Sequence, residues 1–311
     1  MKRRLTFLAA VVVAIAGCAG LAFAQNSDSI QEYEKTFMPE QGASESAVLE
    51  LSLQSAALKR EMNYRVYIPK DYRATSDSFP VLYLLHGLGG SEKNWSDPER
   101  GNMQAICDEW FATHPNQKRV VVMPDGGNRW YRDSLDDSSK YETFFFDELI
   151  PHVKARFRIK DDQASRAIAG LSMGGYGSAL YALRRPDYFA AAVPMSAAIR
   201  TVDELKKQTF EEFKKRYSSG ENMEEGESRF DDYFYANDPH TLVTKLTDDQ
   251  KKAFRMLLDC GDDDDLLVGN IALFNEARKS GVKCELRVRD GAHNWKYWRE
   301  ALPIALEFIA Q

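Results

Sequence analysis

The residues best suited to chemistry centre on Ser172, in the segment Gly170-Leu171-Ser172-Met173-Gly174. A strand-like run, RAIAGL, ends at this segment, and a small-residue run with helical character, GGYGSALYALRR, follows it. In such a strand-turn-helix context, G-x-S-x-G forms a sharp turn that raises the serine hydroxyl above a sheet. The N-terminus of the following helix also favours a developing negative charge. Ser172 is therefore a candidate nucleophile.

A serine hydroxyl is a weak nucleophile unless a base accepts its proton. The chain has five histidines, and His293 lies in the segment DGAHNW, just after the last strand-like run. A loop at the carboxyl end of that strand would bring the imidazole back over the sheet, beside the serine turn. We expect structural positions for His114, His152 and His240, and a loop-shaping role for His86.

The base needs a carboxylate that orients it, and the run 262–265 offers four consecutive aspartates after the strand-like segment MLLDC. Four adjacent acids repel one another, so a purely structural run is not obviously favourable. The order serine, acid, histidine along the chain matches that of α/β-hydrolases. The residues alone narrow the acid to Asp262, Asp263, Asp264 or Asp265.

Negative charge that develops during attack on a carbonyl must also be stabilised. The segment His86-Gly87-Leu88-Gly89-Gly90 follows the apolar run VLYLL, and its glycines permit a bend that aims backbone N–H groups inward. Met173, the residue after the candidate nucleophile, would supply a second N–H. These groups predict an oxyanion hole.

The elements that must position these residues alternate along the chain. Unbroken apolar runs such as VLYLL and VVVM are typical of strands buried on both faces of a parallel sheet, and the alternating run EMNYRVYI indicates an antiparallel edge. Strands alternating with helices predict an α/β fold with a mostly parallel central sheet of about eight strands and helices on both faces. The expected strands are Val48–Leu53, Asn63–Ile68, Val81–Leu85, Val120–Met123, Arg166–Leu171, Ala190–Met195, Phe254–Leu258 and Cys284–Arg289. The expected helices are Asn102–Thr113, Tyr141–Phe157, Met173–Arg184, Leu266–Ser280 and Trp295–Ala310.

One block interrupts this alternation. Residues at about 197–250 are strongly charged, with a late aromatic cluster, and form too long a stretch for a simple connection. We expect a helical insertion there, either a solvated excursion or a cap over the site. The rest of 46–311 reads as one catalytic domain.

The first 24 residues have the character of a secretory signal. Three cations precede an apolar run and the small-x-small sequence Ala22-Phe23-Ala24, which predicts cleavage before Gln25 and export. The alternative is a lipoprotein box, Ile15-Ala16-Gly17-Cys18, with Cys18 lipidated. Either reading leaves the mature chain without a stable membrane span, and residues 25–45 form a polar N-terminal tail.

Composition excludes other classes. The 311 residues are 44% hydrophobic and 28% charged, which is typical of a globular protein, and the net charge of −6 without basic clusters disfavours nucleic acid as a partner. Three cysteines remain after the predicted cleavage, an odd number that argues against a disulfide framework. No cysteine or histidine spacing indicates a metal site.

With these residues placed, the chain resembles the esterase D-like branch of the α/β-hydrolases, and especially feruloyl and acetylxylan esterases of carbohydrate esterase family 1. The resemblance covers about residues 63–308 and rests on the segments NYRVYIPKDY, PVLYLLHGLGGSEKNW, MPDGGNRWY, FFFDELIPHV, IAGLSMGGYGSALYAL, CGDDDDLL and GAHNWKYW. It implies that Ser172 is the nucleophile and His293 the general base and acid. It also implies Asp264 as the acid, with Asp265 or Asp263 as fallbacks, and the N–H groups of Leu88 and Met173 as the oxyanion hole. The family uses no metal or cofactor.

The function implied is hydrolysis of a carboxylic ester, with feruloyl or acetyl groups on a plant polysaccharide such as xylan as the expected substrate. Aromatic residues near the site, Trp130, Tyr131 and Trp295, are candidate substrate contacts. Alternatives are a general short-chain carboxylesterase of the tributyrin type, or a thioesterase like S-formylglutathione hydrolase. An alternative from a different class is a catalytically inactive, glycan-binding member of the fold.

Overall fold

A computed structural model of the chain describes residues 45–217 and 225–311. The predicted signal segment with Cys18, and the predicted tail except Glu45, lie outside the described residues. Within the described part, no helix has both the length and the apolar character that crossing a bilayer requires.

An eight-stranded sheet forms the centre of the molecule, in the order β1-β2-β4-β3-β5-β6-β7-β8. β2 runs antiparallel to both of its neighbours, and the pairs from β4 through β8 are parallel. All eight predicted strands and the mostly parallel α/β architecture are confirmed. The strands are β1 (Ala47–Ser55), β2 (Arg60–Ile68), β3 (Val81–Leu85), β4 (Val120–Pro124), β5 (Arg166–Leu171), β6 (Ala191–Met195), β7 (Arg255–Gly261) and β8 (Lys283–Arg289).

Helices cover both faces of this sheet. The longer ones are α1 (Met103–Thr113), α2 (Tyr141–Thr143, continued by a π-helical turn at Phe144–Leu149 and by Ile150–Lys154), α3 (Met173–Arg184), α9 (Leu267–Ser280) and α10 (Trp295–Ala310). In the described ranges, 3-10 turns occur at Tyr72–Ala74, Pro115–Gln117, Gln163–Ser165 and Gly226–Arg229.

The apolar runs are explained by the two cores that this layering creates. Alternate residues of β3 enter different clusters. Tyr83 belongs to the cluster that includes residues of α2, α3 and α9, whereas Leu84 belongs to the cluster that includes residues of α1 and α10. Because successive strand side chains point to opposite faces, a strand buried on both faces must be apolar at every position. All five residues of β3 are accordingly buried.

Between β6 and β7, the described residues form five short helices: α4 (Val202–Lys206), α5 (Phe210–Tyr217), α6 (Asp232–Ala236), α7 (Pro239–Thr244) and α8 (Asp248–Ala253). Part of this region has its own small core, in which Leu205, Phe213, Tyr217 and Phe234 are buried together. The insertion is thus a packed helical unit joined to the main domain.

Candidate active site

Ser172 lies at the sharp turn between β5 and α3, with φ 56° and ψ −116°. A non-glycine residue in this region is strained, at a cost of about 1–3 kcal/mol. Glycines on either side make the turn possible: a Cβ on Gly170 would lie 2.5 Å from the Gly174 carbonyl oxygen, and one on Gly174 would lie 2.4 Å from that of Leu85. The strained turn holds the Ser172 side chain at the carboxyl end of the sheet.

The loops after β7 and β8 are joined by backbone hydrogen bonds, which fixes the acid and the histidine relative to each other. Asp262 N–H donates to the Arg289 carbonyl at 3.0 Å, and Asp263 N–H donates to the Gly291 carbonyl at 3.0 Å. Gly291 N–H in turn donates to the Asp262 carboxylate at 2.9 Å. Two of the four aspartates therefore hold the loops together.

The structure brings Ser172, His293 and Asp264 together in one line. His293 Nε2 lies 2.9 Å from Ser172 Oγ, and His293 Nδ1 lies 2.8 Å from Asp264 Oδ2. Asp264 is buried, whereas Asp262, Asp263 and Asp265 are exposed. The geometry thus selects Asp264 from the four aspartates that the sequence left open.

The surroundings of Asp264 keep its carboxyl ionised. Burial by itself raises the pKa of this group, but hydrogen bonds from His293, from the N–H of Leu266 and from Ser196 outweigh that effect, so the pKa lies below its ordinary value. An ionised carboxylate accepts a hydrogen bond from His293 Nδ1–H, which keeps the proton on Nδ1 and leaves Nε2 free to accept from the Ser172 hydroxyl. This tautomer is the one that a general base for Ser172 requires.

The peptide that links Gly87 to Leu88 is fixed by two donors. The Gly87 carbonyl accepts from Gly90 N–H at 3.1 Å and from His86 Nδ1 at 2.7 Å, while His86 Nε2 accepts from Gly126 N–H at 2.7 Å. Because a trans peptide holds its C=O and N–H antiparallel, fixing this carbonyl directs the Leu88 N–H to the opposite side. His86 therefore has the loop-shaping position that the sequence predicted.

The peptide that links Ser172 to Met173 is fixed in the same way. The Ser172 carbonyl accepts from Tyr176 N–H at 3.0 Å and from Ala198 N–H at 2.9 Å. Among the described residues, the N–H groups of Leu88 and Met173 have no hydrogen-bond acceptor of their own. Two oriented and available donors thus lie on the two loops that flank the Ser172 hydroxyl.

A cavity of about 380 Å³ opens at Ser172 and is lined by the 87–90 loop, His293 and Trp295, among others. The Trp295 ring is partly buried and makes edge contacts with Trp95 and Trp298, whose ring centroids lie 5.4 Å and 5.2 Å away. Of the three aromatic residues predicted to contact substrate, Trp295 is the one that lines this cavity.

The sequence-based prediction for Tyr131 is wrong, because this side chain is fully buried. Its hydroxyl donates to the His86 carbonyl at 2.9 Å, and its ring fills space that glycines leave open: a Cβ on Gly126 or on Gly177 would lie 2.6 Å from it. Tyr131 therefore supports the 86–90 loop from inside the domain, through its hydrogen bond to the His86 carbonyl. Trp130 is 7% exposed, packs edge-on against Tyr176 and lines a separate hollow next to the main cavity.

Sequence reasoning missed Ser196 and Asn128. Ser196 is buried, accepts a hydrogen bond from Trp298 Nε1 at 3.1 Å and also bonds to the acid, so it orients two groups at once. Asn128 accepts from Gly89 N–H at 2.7 Å and holds the loop that carries Leu88. Ser196 directly follows β6, and Asn128 lies four residues after β4, within the segment MPDGGNRWY, so both lie beyond strand ends, where site residues collect in this kind of sheet.

In the two described ranges, no group of three or more His, Cys, Asp or Glu side chains is arranged to hold a metal ion. The three cysteines there, Cys107, Cys260 and Cys284, are unpaired and buried. Burial raises the pKa of the Cys260 thiol and of the Cys284 thiol to about 12, so neither is a nucleophile at neutral pH.

Comparisons with known proteins agree with this geometry. The model of the family described as "Putative esterase" matches residues 55–309. An acetyl esterase of Caldicellulosiruptor saccharolyticus is 24% identical over 276 residues, which cover 85% of this chain and 98% of that protein. An endo-1,4-beta-xylanase/feruloyl esterase of Xylanibacter ruminicola is 32% identical over 166 residues, covering 51% of this chain but only 23% of that longer protein.

Among solved structures, a ferulic acid esterase superimposes with a TM-score of 0.72 at 32% identity, covering 86% of this chain and 98% of that one. The family match extends over most of the domain and includes the turn at Ser172, the acid loop and the histidine loop. The resemblance to feruloyl and acetyl esterases is therefore confirmed. The chain belongs to this esterase family and is a serine esterase with the α/β-hydrolase fold.

Proposed function

We propose that the protein is an exported esterase that removes feruloyl or acetyl groups from a plant cell-wall polysaccharide such as xylan. In this proposal Ser172 is the nucleophile, His293 the general base and acid, and Asp264 the orienting carboxylate. The N–H groups of Leu88 and Met173 form the oxyanion hole.

One observation carries the catalytic assignment: Ser172 Oγ, the two ring nitrogens of His293 and the Asp264 carboxylate are joined by hydrogen bonds of 2.9 Å and 2.8 Å. This arrangement lets one proton leave the hydroxyl while the imidazolium that results is stabilised by a buried, ionised partner. The side chains come from three different loops, so their alignment is not a consequence of local sequence.

The first step is attack on the ester carbonyl. His293 Nε2 takes the Ser172 proton as Oγ forms a bond to the carbonyl carbon, and the carbonyl oxygen becomes an anion. The two N–H donors stabilise that anion, each at about 3 kcal/mol by comparison with other enzymes. Collapse of the tetrahedral intermediate breaks the bond between the carbonyl carbon and the alcohol oxygen. The alcohol oxygen takes the proton from His293 and departs, and the acyl group stays bound to Ser172 as an acyl-enzyme.

The second step repeats this sequence with water. His293 removes a proton from a water molecule, whose oxygen attacks the acyl carbonyl, and a second oxyanion forms in the same place. When it collapses, Ser172 Oγ leaves and recovers its proton from His293. The products are the free acid and the regenerated enzyme.

Substrate class is supported by the relatives and by the cavity. Relatives at 32% identity are described as a ferulic acid esterase and as a xylanase/feruloyl esterase. Trp295 offers an aromatic face beside Ser172, against which a feruloyl ring or a sugar can pack. The signal-like first 24 residues support export, as expected for an enzyme that acts on an extracellular polymer.

The catalytic proposal is tested with 4-nitrophenyl acetate. We expect Ser172→Ala to lower kcat by about 10⁴–10⁶-fold. The matched control is Ser178→Ala on the same helix, whose hydroxyl donates to the Gly175 carbonyl and is remote from His293. It should retain activity within about twofold. Similar activity in Ser172→Ala and the wild type would contradict the proposal.

The substrate is tested with methyl ferulate, acetylated xylan and tributyrin, and with S-formylglutathione as the thioester control. A kcat/KM at least about tenfold higher for methyl ferulate or acetylated xylan than for the other two, a difference of about 1.4 kcal/mol, supports the cell-wall assignment. Equal values on all four would contradict it and leave a general esterase. Export is tested by N-terminal sequencing of the mature protein, which should begin at Gln25; a lipidated Cys18 would indicate the alternative.

A further inference from the structure

A second hollow, of about 210 Å³, lies between the loop after β4 and helix α5. Four of its lining residues are cations: Arg129, Arg132, Lys214 and Lys215. The other described lining residues are Asn128, Trp130, Ser134, Ser139 and Tyr233, none of which is a carboxylate. We call this feature the cationic hollow.

Arg132 is the unusual member of the set because it is only 5% exposed. Its guanidinium donates to the Arg216 carbonyl and to Tyr176 Oη, and it lies 5.6 Å from the ring centroids of both Tyr217 and Tyr233. Within the described residues it has no carboxylate partner. A buried charge without a counter-ion is costly, and such groups are normally paired.

Two neighbouring acids, Glu211 and Asp133, do not pair with Arg132. Glu211 is exposed and 4.0 Å from Lys214, and the Asp133 carboxylate accepts from Thr143 N–H and Oγ1 at 3.1 Å and 2.6 Å. Arg129 and Lys215 have no carboxylate partner in the part of the chain that the structure describes. Among the residues that the structure describes, the lining of the cationic hollow therefore carries cations and no carboxylate.

Two contacts connect the cationic hollow to the candidate active site. Asn128, on its rim, accepts from Gly89 N–H at 2.7 Å, and Gly89 lines the cavity at Ser172. Tyr176, which contacts both Trp130 and Arg132, lies one helical turn after Ser172, a rise of about 5.4–6 Å. The cationic hollow thus lies on a loop that contacts both the 86–90 loop and the helix beginning after Ser172.

We propose that the cationic hollow binds a carboxylate on the ester substrate, and that the preferred substrate is an ester of an acidic sugar chain, with a uronate residue next to the acylated one. Tyr233 and Trp130 border the cations and favour a ring-bearing carboxylate over a bare anion. This proposal rests on the proposed function and adds a charge requirement to it.

The kinetic test compares acetylated xylo-oligosaccharides that carry a glucuronic acid side group with the same compounds after reduction of the carboxyl to an alcohol. For the wild type we expect kcat/KM to be about tenfold higher on the acidic substrate, mainly through KM, and the difference to shrink in 0.5 M NaCl. The double variant Lys214→Gln/Lys215→Gln should lower this preference about fivefold. These lysines are chosen because Arg132→Gln would disturb the buried contacts of Arg132.

The matched control is Lys279→Gln/Lys283→Gln, which removes the same charge from exposed lysines that do not line the cationic hollow. It should keep the wild-type preference. Equal kcat/KM on the two substrates, an unaffected preference in the first double variant, or an equal loss in the control would each overturn the proposal.

A binding measurement separates this proposal from the catalytic one. Titration of Ser172→Ala with glucuronate, glucose and inorganic phosphate should give the tightest binding for glucuronate, weakened by Lys214→Gln/Lys215→Gln. Phosphate binding as tight as that of glucuronate would overturn the sugar assignment. If the wild type hydrolysed no ester, the proposed function would fail, while this titration would still decide whether the cationic hollow takes a uronate.

Discussion

Two histidine–aspartate pairs in the described residues are joined through Nδ1 of the imidazole, and they differ in the partner of the other ring nitrogen. His293 Nδ1 lies 2.8 Å from Asp264, and His240 Nδ1 lies 3.1 Å from Asp238. The other ring nitrogen faces the Ser172 hydroxyl in the first pair and the Gly269 carbonyl, at 3.1 Å, in the second.

That second partner decides the chemistry. A hydroxyl can donate, so His293 Nε2 can act as an acceptor and remove a proton. A carbonyl can only accept, so His240 donates through both nitrogens, which favours the imidazolium. Asp238 also caps α7, and His240 ties α7 to α9. The same pair of residue types is thus arranged as a base in one place and as a structural clamp in the other.

The largest expected effect comes from making the same substitution in both histidines, which tests whether His293 and His240 have different roles. We expect His293→Gln to lower kcat on 4-nitrophenyl acetate by about 10⁵-fold, because Ser172 then lacks its base. His240→Gln should keep kcat within about twofold but lower the unfolding midpoint in urea. A large loss of kcat in His240→Gln, with folding intact by circular dichroism, would show that the two pairs are not functionally distinct.

The next effect concerns the acid. Asp264→Asn should lower kcat by about 10³–10⁴-fold, because an amide no longer selects the productive tautomer of His293. Asp265→Asn is the matched control: this neighbouring aspartate is exposed and should matter less than about twofold. Equal losses in both variants would mean that the run acts through its total charge.

A smaller effect is expected on stability alone. Asp238→Ala removes a carboxylate that accepts from the N–H groups of His240 and Thr241 and from the Thr241 hydroxyl, at 2.7–3.3 Å. We expect the free energy of unfolding to fall by about 3 kcal/mol, measured by urea denaturation. At temperatures well below the unfolding transition, the esterase activity of Asp238→Ala should equal that of the wild type. Asp264→Asn, in contrast, should lose activity at every temperature.

The smallest effect is the pH dependence of the clamp. Burial lowers the pKa of His240, but the hydrogen bond and charge of Asp238 outweigh this and raise it above 6.5. Burial likewise raises the pKa of Asp238, but its bonds to His240 and Thr241 hold it below 3.8.

The direction of the pH effect follows from these two shifts. A raised histidine pKa contributes stability that is complete below pH 6.5 and is lost as the pH rises through the folded value. A lowered aspartate pKa contributes stability that is complete above pH 3.8 and is lost as the pH falls through the folded value. The stability difference between wild type and His240→Gln should therefore be largest between these pH values and smaller at pH 9. A difference that grows towards pH 9 would contradict the clamp.

Much of this architecture could be predicted from the sequence because its signals are strong. Short unbroken apolar runs such as VLYLL are typical of central strands, and G-x-S-x-G between a strand and a helix has few structural solutions. The insertion was harder to interpret: its helices are short, and several begin with capping residues, such as Thr201 and Thr247, rather than with an extended apolar stripe.

The residues that sequence reasoning misjudged depend on backbone direction. Trp130 and Tyr131 both have φ 55°, in the left-handed region, which turns the Tyr131 ring into the domain instead of towards the substrate. Neither residue is a glycine or an asparagine, so nothing in the sequence indicates this conformation. The choice among four aspartates also needed coordinates, because a shift by one residue in a loop changes which carboxylate is buried.

The paired donors on the Gly87 and Ser172 carbonyls have a further electronic consequence. Each hydrogen bond to a peptide oxygen draws electron density away from the nitrogen of that peptide and makes its N–H more polar, by roughly 10–30% per bond. The amides of Leu88 and Met173 are therefore pre-polarised before any substrate arrives. Neutral backbone groups at this turn can in this way supply part of the attraction that a cationic side chain would otherwise provide.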